Sequence, residues 1–363
     1  MDELFYELIR VAIGRASCLS RVPSEEEWHS LFEMANRQSL IGICFVGVQK
    51  LKKQDQGPTR LQYNRWLSIS AKIQQKNVAL NQQCSELQVR FDADGWRSCI
   101  LKGQGIASFY EGSLRLLRQP GDIDVFLLKD GLSIKENKNA VLSLAKCIAS
   151  NAKGAAHHVA VQWFPDTEVE LHYEATYLCN PWANRRLQSW LKERLLESRG
   201  TVSVRGESFS FSTFSAEVNV VFLLAHAFRH YLSEGMGLRQ VMDYYWTIRN
   251  DHSSHPYLLP LLKDLNMLPF AGAMMWVLQK VFNMDVDSCI CAPNEKLGRK
   301  LLSHITKGGN FGHYNMDTIA SRNSHFGRFV NQVVNDCQLA YDYPCEALWS
   351  PFSMIREFLR IRI

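Results

Sequence analysis

The segment Pro120-Gly-Asp-Ile-Asp-Val-Phe-Leu-Leu128 constrains the fold of this chain more than any other. A Pro-Gly breaker precedes a short run rich in Ile, Val, Phe and Leu, which predicts a strand that opens on two acids. Side chains two apart on a strand leave the same face, so Asp122 and Asp124 share one side while Ile123 and Val125 point into a core on the other. Two carboxylates that close repel each other unless a cation compensates them, and hard oxygen donors at this separation suit Mg²⁺ or Mn²⁺.

The neighbouring segments supply parts that go with such a pair. Trp96 to Leu101 is a short apolar run that ends at Lys102-Gly-Gln-Gly105 and leads into an amphipathic stretch, Ile106 to Tyr110, so it predicts strand, turn and helix. Lys102 and Gly103 stand at the strand end, where glycine lets a phosphate approach the backbone and free N–H groups face an anion. This is not a Walker loop, because Lys102 precedes its glycine, and Gly103-x-Gly105 is not the complete dinucleotide fingerprint. After a helix from Lys135 to Ala149, two strands, His158 to Phe164 and Glu168 to Tyr173, are joined by Pro165-Asp-Thr167 as a hairpin. The second places Glu168, Glu170, His172 and Glu174 on one face, and Glu170, central in it, is the best third carboxylate.

Helical patterns flank this region. Ser24-Glu-Glu-Glu27 forms a capping box, and a helix from about Leu61 to the Asp94-Gly95 stop carries Ile69, Ile73, Leu80, Cys84, Leu87 and Phe91 as one stripe. Beyond Pro181, Glu217–Tyr231, Leu238–Ile248 and Tyr257–Phe282 read as helices, and Val202–Phe211 alternates like an isolated hairpin. The expectation is an α+β protein: a helical region over 1–94, a small mixed-sheet core over 95–180 and a mainly helical region over 181–363. At 363 residues and 46% hydrophobic the chain has apolar surface for such a body, and the absence of long linkers or repeats predicts that the parts pack together.

A net charge of +5 with no basic run gives no strong nucleic-acid signal. Most of the ten cysteines sit singly in apolar or helical patterns, as reduced thiols do. The Met1-Asp-Glu-Leu start lacks a basic n-region, and no stretch approaches the roughly 18 apolar residues of a membrane helix. A cytoplasmic location is expected.

Leu101-Lys-Gly103, Tyr110, Arg118-Gln-Pro-Gly-Asp-Ile-Asp124 and Val169-Glu-Leu-His172 together resemble the uncharacterised nucleotidyltransferase family of bacteria, within the DNA polymerase β-like superfamily. A later block, His226-Ala-Phe-Arg-His230 through Gly237-Leu-Arg-Gln-Val-Met-Asp243, is similar to that family as well. The resemblance implies a nucleotidyltransferase core in which Asp122 and Asp124 bind metal, Glu170 is the third carboxylate, and Lys102 and Gly103 form the phosphate-side loop. Gln104, Arg118 and Gly121 are expected beside the nucleotide, and His172, Arg239 and Asp243 along the cleft. The implied reaction is transfer of a nucleoside monophosphate from an NTP to a hydroxyl or similar acceptor, with Mg²⁺ or Mn²⁺.

Other features compete with these readings. Gln104, which replaces a usual Ser or Gly, and the long interval between Gly103 and Asp122 keep open a non-catalytic nucleotide sensor. His226 and His230, at i and i+4, have the spacing of a zinc pair but lack the following Glu of a zinc hydrolase, so they read as packing histidines. Arg239 and Asp243 repeat that spacing as a helix ion pair. Cys289-Ile-Cys291 has no second pair and reads as structural. Trp349 to Ile363, with Arg356, Arg360 and Arg362 among apolar residues, is expected to dock on the body rather than lie on a membrane.

Overall fold

Local capping chemistry sets where several of the helices begin. Ser24 caps α2 (Glu25–Arg37), Thr59 caps α4 (Arg60–Ala93) and Ser133 caps α7 (Ile134–Ile148), each through a reciprocal capping box with Glu27, Gln62 and Glu136. These follow α1 (Asp2–Ala12) and accompany α3 (Ile41–Lys52) in a computed structural model that describes residues 1–149, 152–154, 157–197, 200–233, 235–251, 256–309, 333–334 and 336–361. The 34 residues of α4 make a rod of about 50 Å. Its first half buries Trp66 and Ile73 among α1 to α3, and its second half buries Leu80, Cys84, Leu87 and Phe91 under the sheet. One helix thus joins the two expected regions.

The sheet has seven strands in the order β3-β4-β5-β2-β1-β7-β6. They are β1 (Arg97–Leu101), β2 (Ile123–Leu128), β3 (Lys153–Gly154), β4 (His158–Phe164), β5 (Thr167–His172), β6 (Thr201–Arg205) and β7 (Ser210–Phe214). β2 runs antiparallel to β1 and parallel to β5, with Asp124 opposite Glu170. The hairpin β6–β7, expected to stand alone, extends this sheet because β7 pairs parallel to β1 through Ile100 and Thr213. The sheet therefore draws strands from either side of residue 180.

Alternation assigns the two faces. Ile123, Val125, Leu127, Val169 and Leu171 point to the face packed by α4 and α7. Phe126, Leu128 and Phe214 point the other way, into a larger core with α9 (Ala216–Leu232), α10 (Leu238–Arg249) and α12 (Leu268–Phe282). All six residues of β2 are buried, so the acidic face is covered by helices rather than open along its length. Just after β1 the chain passes close to β7: a Cβ on Gly105 would lie 2.3 Å from Thr213 Oγ1 and 2.6 Å from Ile100 O. Only glycine fits there.

The continuous Tyr257–Phe282 helix expected from periodicity is two, α11 (Leu258–Asp264) and α12, because Asn266 takes a left-handed φ of 57° and turns the chain between them. Further helices are α5 (Lys102–Ala107), α6 (Leu114–Leu117), α8 (Pro181–Leu196), α13 (Glu295–Gly308), α14 (Pro344–Ala347) and α15 (Ser350–Ile361). Phe352 and Ile355 of α15 are exposed. The expected docking of Phe358, Leu359 and Ile361, and the roles of Arg356, Arg360 and Arg362, lie outside the described side chains. All ten cysteines are free thiols, and no helix among the described residues is long and apolar enough to cross a membrane.

Glu346 ties the C-terminal segment to the start of α8. It is 1% exposed, and its carboxylate accepts the N–H groups of Cys179 at 2.6 Å and Asn180 at 3.3 Å. Burial outweighs those two donors and pushes its pKa from 4.5 up to about 7. The folded chain then holds this proton more tightly than the unfolded chain. The resulting stability is complete below about pH 4.5 and is lost as the pH rises to about 7, an effect of roughly 3 kcal/mol. Urea denaturation at pH values across this window is expected to show that fall in wild type, and Glu346→Gln is expected to flatten it.

Candidate active site

The carboxylates meet at the end of the central strands. Asp122 lies just before β2 at the surface, Asp124 is 3% exposed inside it, and Glu170 stands beside Asp124 on β5. Lys102, at the end of β1, places Nζ 2.6 Å from Asp124 Oδ1. His172, fully buried on β5, places Nε2 2.8 Å from Asp124 Oδ1 and 3.2 Å from Glu170 Oε2. Five residues distant in sequence thus form one group of alternating charge.

Backbone geometry aims the lysine. Lys102 has φ 42°, a left-handed conformation that is uncommon for a residue with a Cβ, and Gly103 follows with φ 29° and ψ −113°. Only a residue without Cβ takes the second conformation readily, so Gly103 allows the sharp reversal from β1 into α5. The turn lies against the loop before β2, with the Gly103 Cβ position 3.6 Å from Asp122 O.

The electrostatics follow from burial and charge together. For Asp124, burial pushes the carboxyl up, but Lys102 and His172 outweigh it and hold the group well below the usual carboxylate range. For His172, burial favours the neutral ring, yet hydrogen bonds to Asp124 and Glu170 raise its pKa above the ordinary value. Lys102 is likewise raised, because Asp124, Asp122 and Glu170 overcome its burial. Asp122 is pushed up to about 6, first by the Asp124 charge and then by loss of solvent on its inner side. Negative charge is in excess at this end of the group, which is the condition that a divalent cation relieves. The donor set fits one: the ligand atoms of Asp124, Glu170 and His172 all lie within 4.8 Å of one another.

Not every expected residue joins this group. Gln104 is buried, and its amide donates to Asn81 Oδ1 at 2.8 Å and Asn77 O at 3.3 Å, so it faces α4. Gly121 is exposed beside Asp122, with open space around its Cβ position. Arg118 is buried and grips Asp243 of α10 with Nε and Nη2, both at 2.7 Å, while Tyr110 Oη donates to the same carboxylate at 2.7 Å. Arg239 donates to Gln119 O at 3.5 Å, and burial followed by the Arg118 charge lowers it to about 10. Asp243, expected from spacing to pair with Arg239 along the helix, makes a fork-to-fork contact with Arg118.

His157 and His158, which the sequence did not single out as site residues, stand beside Glu170. His158 Nε2 lies 3.3 Å from Glu170 Oε1, and its Nδ1 lies 3.4 Å from His157 Nε2. Burial holds His157 well below its ordinary pKa and His158 at about 4, so both rings are neutral. A signal was present: His158 begins a strand whose antiparallel register sets it opposite His172. From α9, His226 and His230 face each other with Nε2 atoms 3.1 Å apart, both buried. Burial and then the Lys102 charge hold His226 well below its ordinary pKa.

The sequence model of a family described as "Uncharacterised nucleotidyltransferase" matches residues 24–283, a span that includes the carboxylates, both histidine groups and Arg118 with Asp243. A solved structure, described as an antigenic nucleotidyltransferase-like protein from Paracoccidioides brasiliensis, is 16% identical over 61% of this chain and 96% of its own, with a TM-score of 0.38. No curated protein matches the chain.

The Arg118–Asp243 contact is a buried ion pair between the β2 loop and the C-terminal helices, and removing one partner strands the other charge. Asp243→Ala is expected to lower the urea-unfolding free energy by about 3–5 kcal/mol. The double substitution Arg118→Met with Asp243→Leu should recover most of that loss, because no buried charge is left unpaired.

Proposed function

Starting from the uncharacterised nucleotidyltransferase family, to which this chain belongs, we propose that it transfers a nucleoside monophosphate from an NTP to a hydroxyl-bearing acceptor. The observation that carries this reading is the convergence of Asp124, Glu170, His172 and Lys102 at one strand end, beside Asp122 and the Gly103 turn. Asp122, Asp124 and Glu170 would hold Mg²⁺ or Mn²⁺. When bound, such a cation polarises the α-phosphate and neutralises the leaving pyrophosphate.

The chain's own groups divide the remaining work. The acceptor oxygen forms a bond to the α-phosphorus, the bond from that phosphorus to the β-phosphate bridge breaks, and the hydroxyl proton passes to a carboxylate of the group. Lys102 carries a partly buried ammonium that would offer its charge to the polyphosphate beside a cation held by Asp122, Asp124 and Glu170. The Gly103 turn brings backbone close to the same anion. Residues 95–180 carry the chemistry in this reading, while 1–94 and 181–363 build the walls of the acceptor side. The ten free thiols accord with a reducing, cytoplasmic setting.

A second reading, nucleotide binding without turnover, is favoured by Lys102 itself. Its ammonium already neutralises Asp124 at 2.6 Å, and Gln104 is engaged with α4. One assay separates the two. With NTP labelled at the α-phosphate and Mg²⁺ or Mn²⁺, the purified protein is expected to move label to an acceptor and release pyrophosphate. Asp124→Asn should lower this by about a thousandfold or more, the scale on which lost transition-state charge stabilisation acts. Tight NTP binding by calorimetry, with no pyrophosphate released over a broad set of acceptors, would instead establish the sensor.

A further inference from the structure

We propose that Glu346 is a positioning residue of the candidate site: it holds the loop that joins β5 to α8, residues 173–180, and through that loop fixes how His172 and His157 sit beside the carboxylates. The inference rests on the reading that Asp124, Glu170 and His172 work together, and it adds a residue of the C-terminal segment that sets their geometry.

The loop is irregular backbone inside the body, so its polar groups are satisfied one at a time. Tyr173, Ala175, Thr176, Leu178 and Asn180 are buried along it. At the site end, the N–H groups of Tyr173 and Glu174 donate to His157 O at 3.0 and 3.2 Å, and the Glu174 carbonyl oxygen lies 3.3 Å from His172 Nδ1. A carbonyl can only accept, so His172 carries a proton on Nδ1 and is oriented by this loop. Tyr177 packs its ring 5.2 Å from that of His157, which in turn stands 5.1 Å from His172. In the middle α8 takes hold: Gln188 donates to Thr176 O at 2.7 Å, and Asn184 Oδ1 accepts from Leu178 N at 3.1 Å. At the far end the carboxyl oxygens of Glu346 accept the N–H groups of Cys179 and Asn180, at 2.6 and 3.3 Å.

Glu346 brings something that α8 does not. Gln188 and Asn184 move with α8, whereas Glu346 belongs to α14, which is anchored on α9 by the preceding Tyr343, its ring 5.2 Å from Phe228 and 5.8 Å from Tyr231. It therefore ties the loop and the start of α8 to a separate part of the core. Ala175, Thr176 and Leu178 are at most 1% exposed, and a close-packed segment passes a displacement along rather than absorbing it. A shift of the loop reaches the carboxylates through one ring, because His172 Nε2 lies 2.8 Å from Asp124 Oδ1 and 3.2 Å from Glu170 Oε2. Misplacement of about 1 Å at reacting groups costs about a hundredfold in rate, so a distant anchor of this kind is visible in turnover.

The experiment uses the full chain with nitrogen-labelled histidines and follows the His172 Nδ1–H proton by nuclear magnetic resonance, assigned through its own side-chain couplings. In Glu346→Ala its exchange with water is expected to quicken by about tenfold or more, because the loop opens more often once two buried N–H groups lose their acceptor. Glu346→Gln, which keeps an acceptor oxygen at the same reach, is expected to retain the wild-type rate. So is Leu8→Ala, which destabilises the protein by opening a cavity between α1 and α3. With NTP labelled at the α-phosphate, Glu346→Ala should lower kcat by about 10- to 100-fold at unchanged KM for NTP, and Glu346→Gln should restore it. Should Glu346→Ala fail to fold, Glu346→Asp, which withdraws the carboxyl by one methylene, takes its place in both measurements. A His172 proton that exchanges no faster in Glu346→Ala than in wild type, or one that quickens equally in Leu8→Ala, would overturn the proposal and leave nucleotidyl transfer standing. A wild-type chain that moves no label would refute the transfer reading, and the exchange of the His172 proton would then decide this proposal alone.

Discussion

The arrangement of this molecule turns on the repulsion between carboxylates gathered at the end of β2 and β5. Asp122, Asp124 and Glu170 stand on one side of adjacent strands, Asp122 at the surface and Asp124 3% exposed, where little water is left to screen it. Such a group persists only with positive charge in contact, and Lys102 and His172 supply it on the same oxygen, Asp124 Oδ1. Everything nearby follows from the need to deliver those two cations. The left-handed turn at Lys102 and Gly103 delivers the first, and the parallel pairing of β5 with β2 delivers the second, two residues beyond Glu170.

A charged group of this kind would be flooded with water if the sheet face were bare. Here the helices beyond residue 215 cover that face, and their hold on the core is itself ionic as well as apolar. Arg118, four residues before Asp122, is locked to Asp243 of α10. Asn77 of α4 secures the same loop from the opposite side, donating to the carbonyls of Leu116 and Arg118, both at 2.8 Å. The loop that presents Asp122 is thus clamped between the longest helix of the first region and the C-terminal helices. This explains why residues with the composition of a nucleotide site, Arg118 and Gln104, spend their polar atoms on architecture.

The comparison between α9 and the strands shows where sequence pattern loses its hold. The capping box at Ser24, the acidic alternation in β2, the hairpin of β4 and β5 and the stripe of α4 are local properties, set by residues within a few positions of each other, and they were legible. The break between α11 and α12 was not, because both halves continue an apolar helical pattern and one left-handed residue, Asn266, divides them. Nor was the membership of β6 and β7 in the main sheet, since alternation defines a strand but not its neighbour. His226 and His230 carried the correct spacing to share a face, but whether that face met a core or a cleft was decided by the packing of α9 across the sheet.

By itself the sequence determined the strand that bears two acids, the third acid on a companion strand, the lysine and glycine turn before them and the helical character of both flanks. Each depends on periodicity or on a turn preference that acts over a few residues. Only the tertiary structure decided which cation neutralises which carboxylate, that His158 joins His172 around Glu170, and that Arg118 belongs to Asp243. Those partners lie up to 125 positions apart. Contacts across such distances are chosen by how whole faces bury against one another, a free energy shared over many residues and written in no single motif.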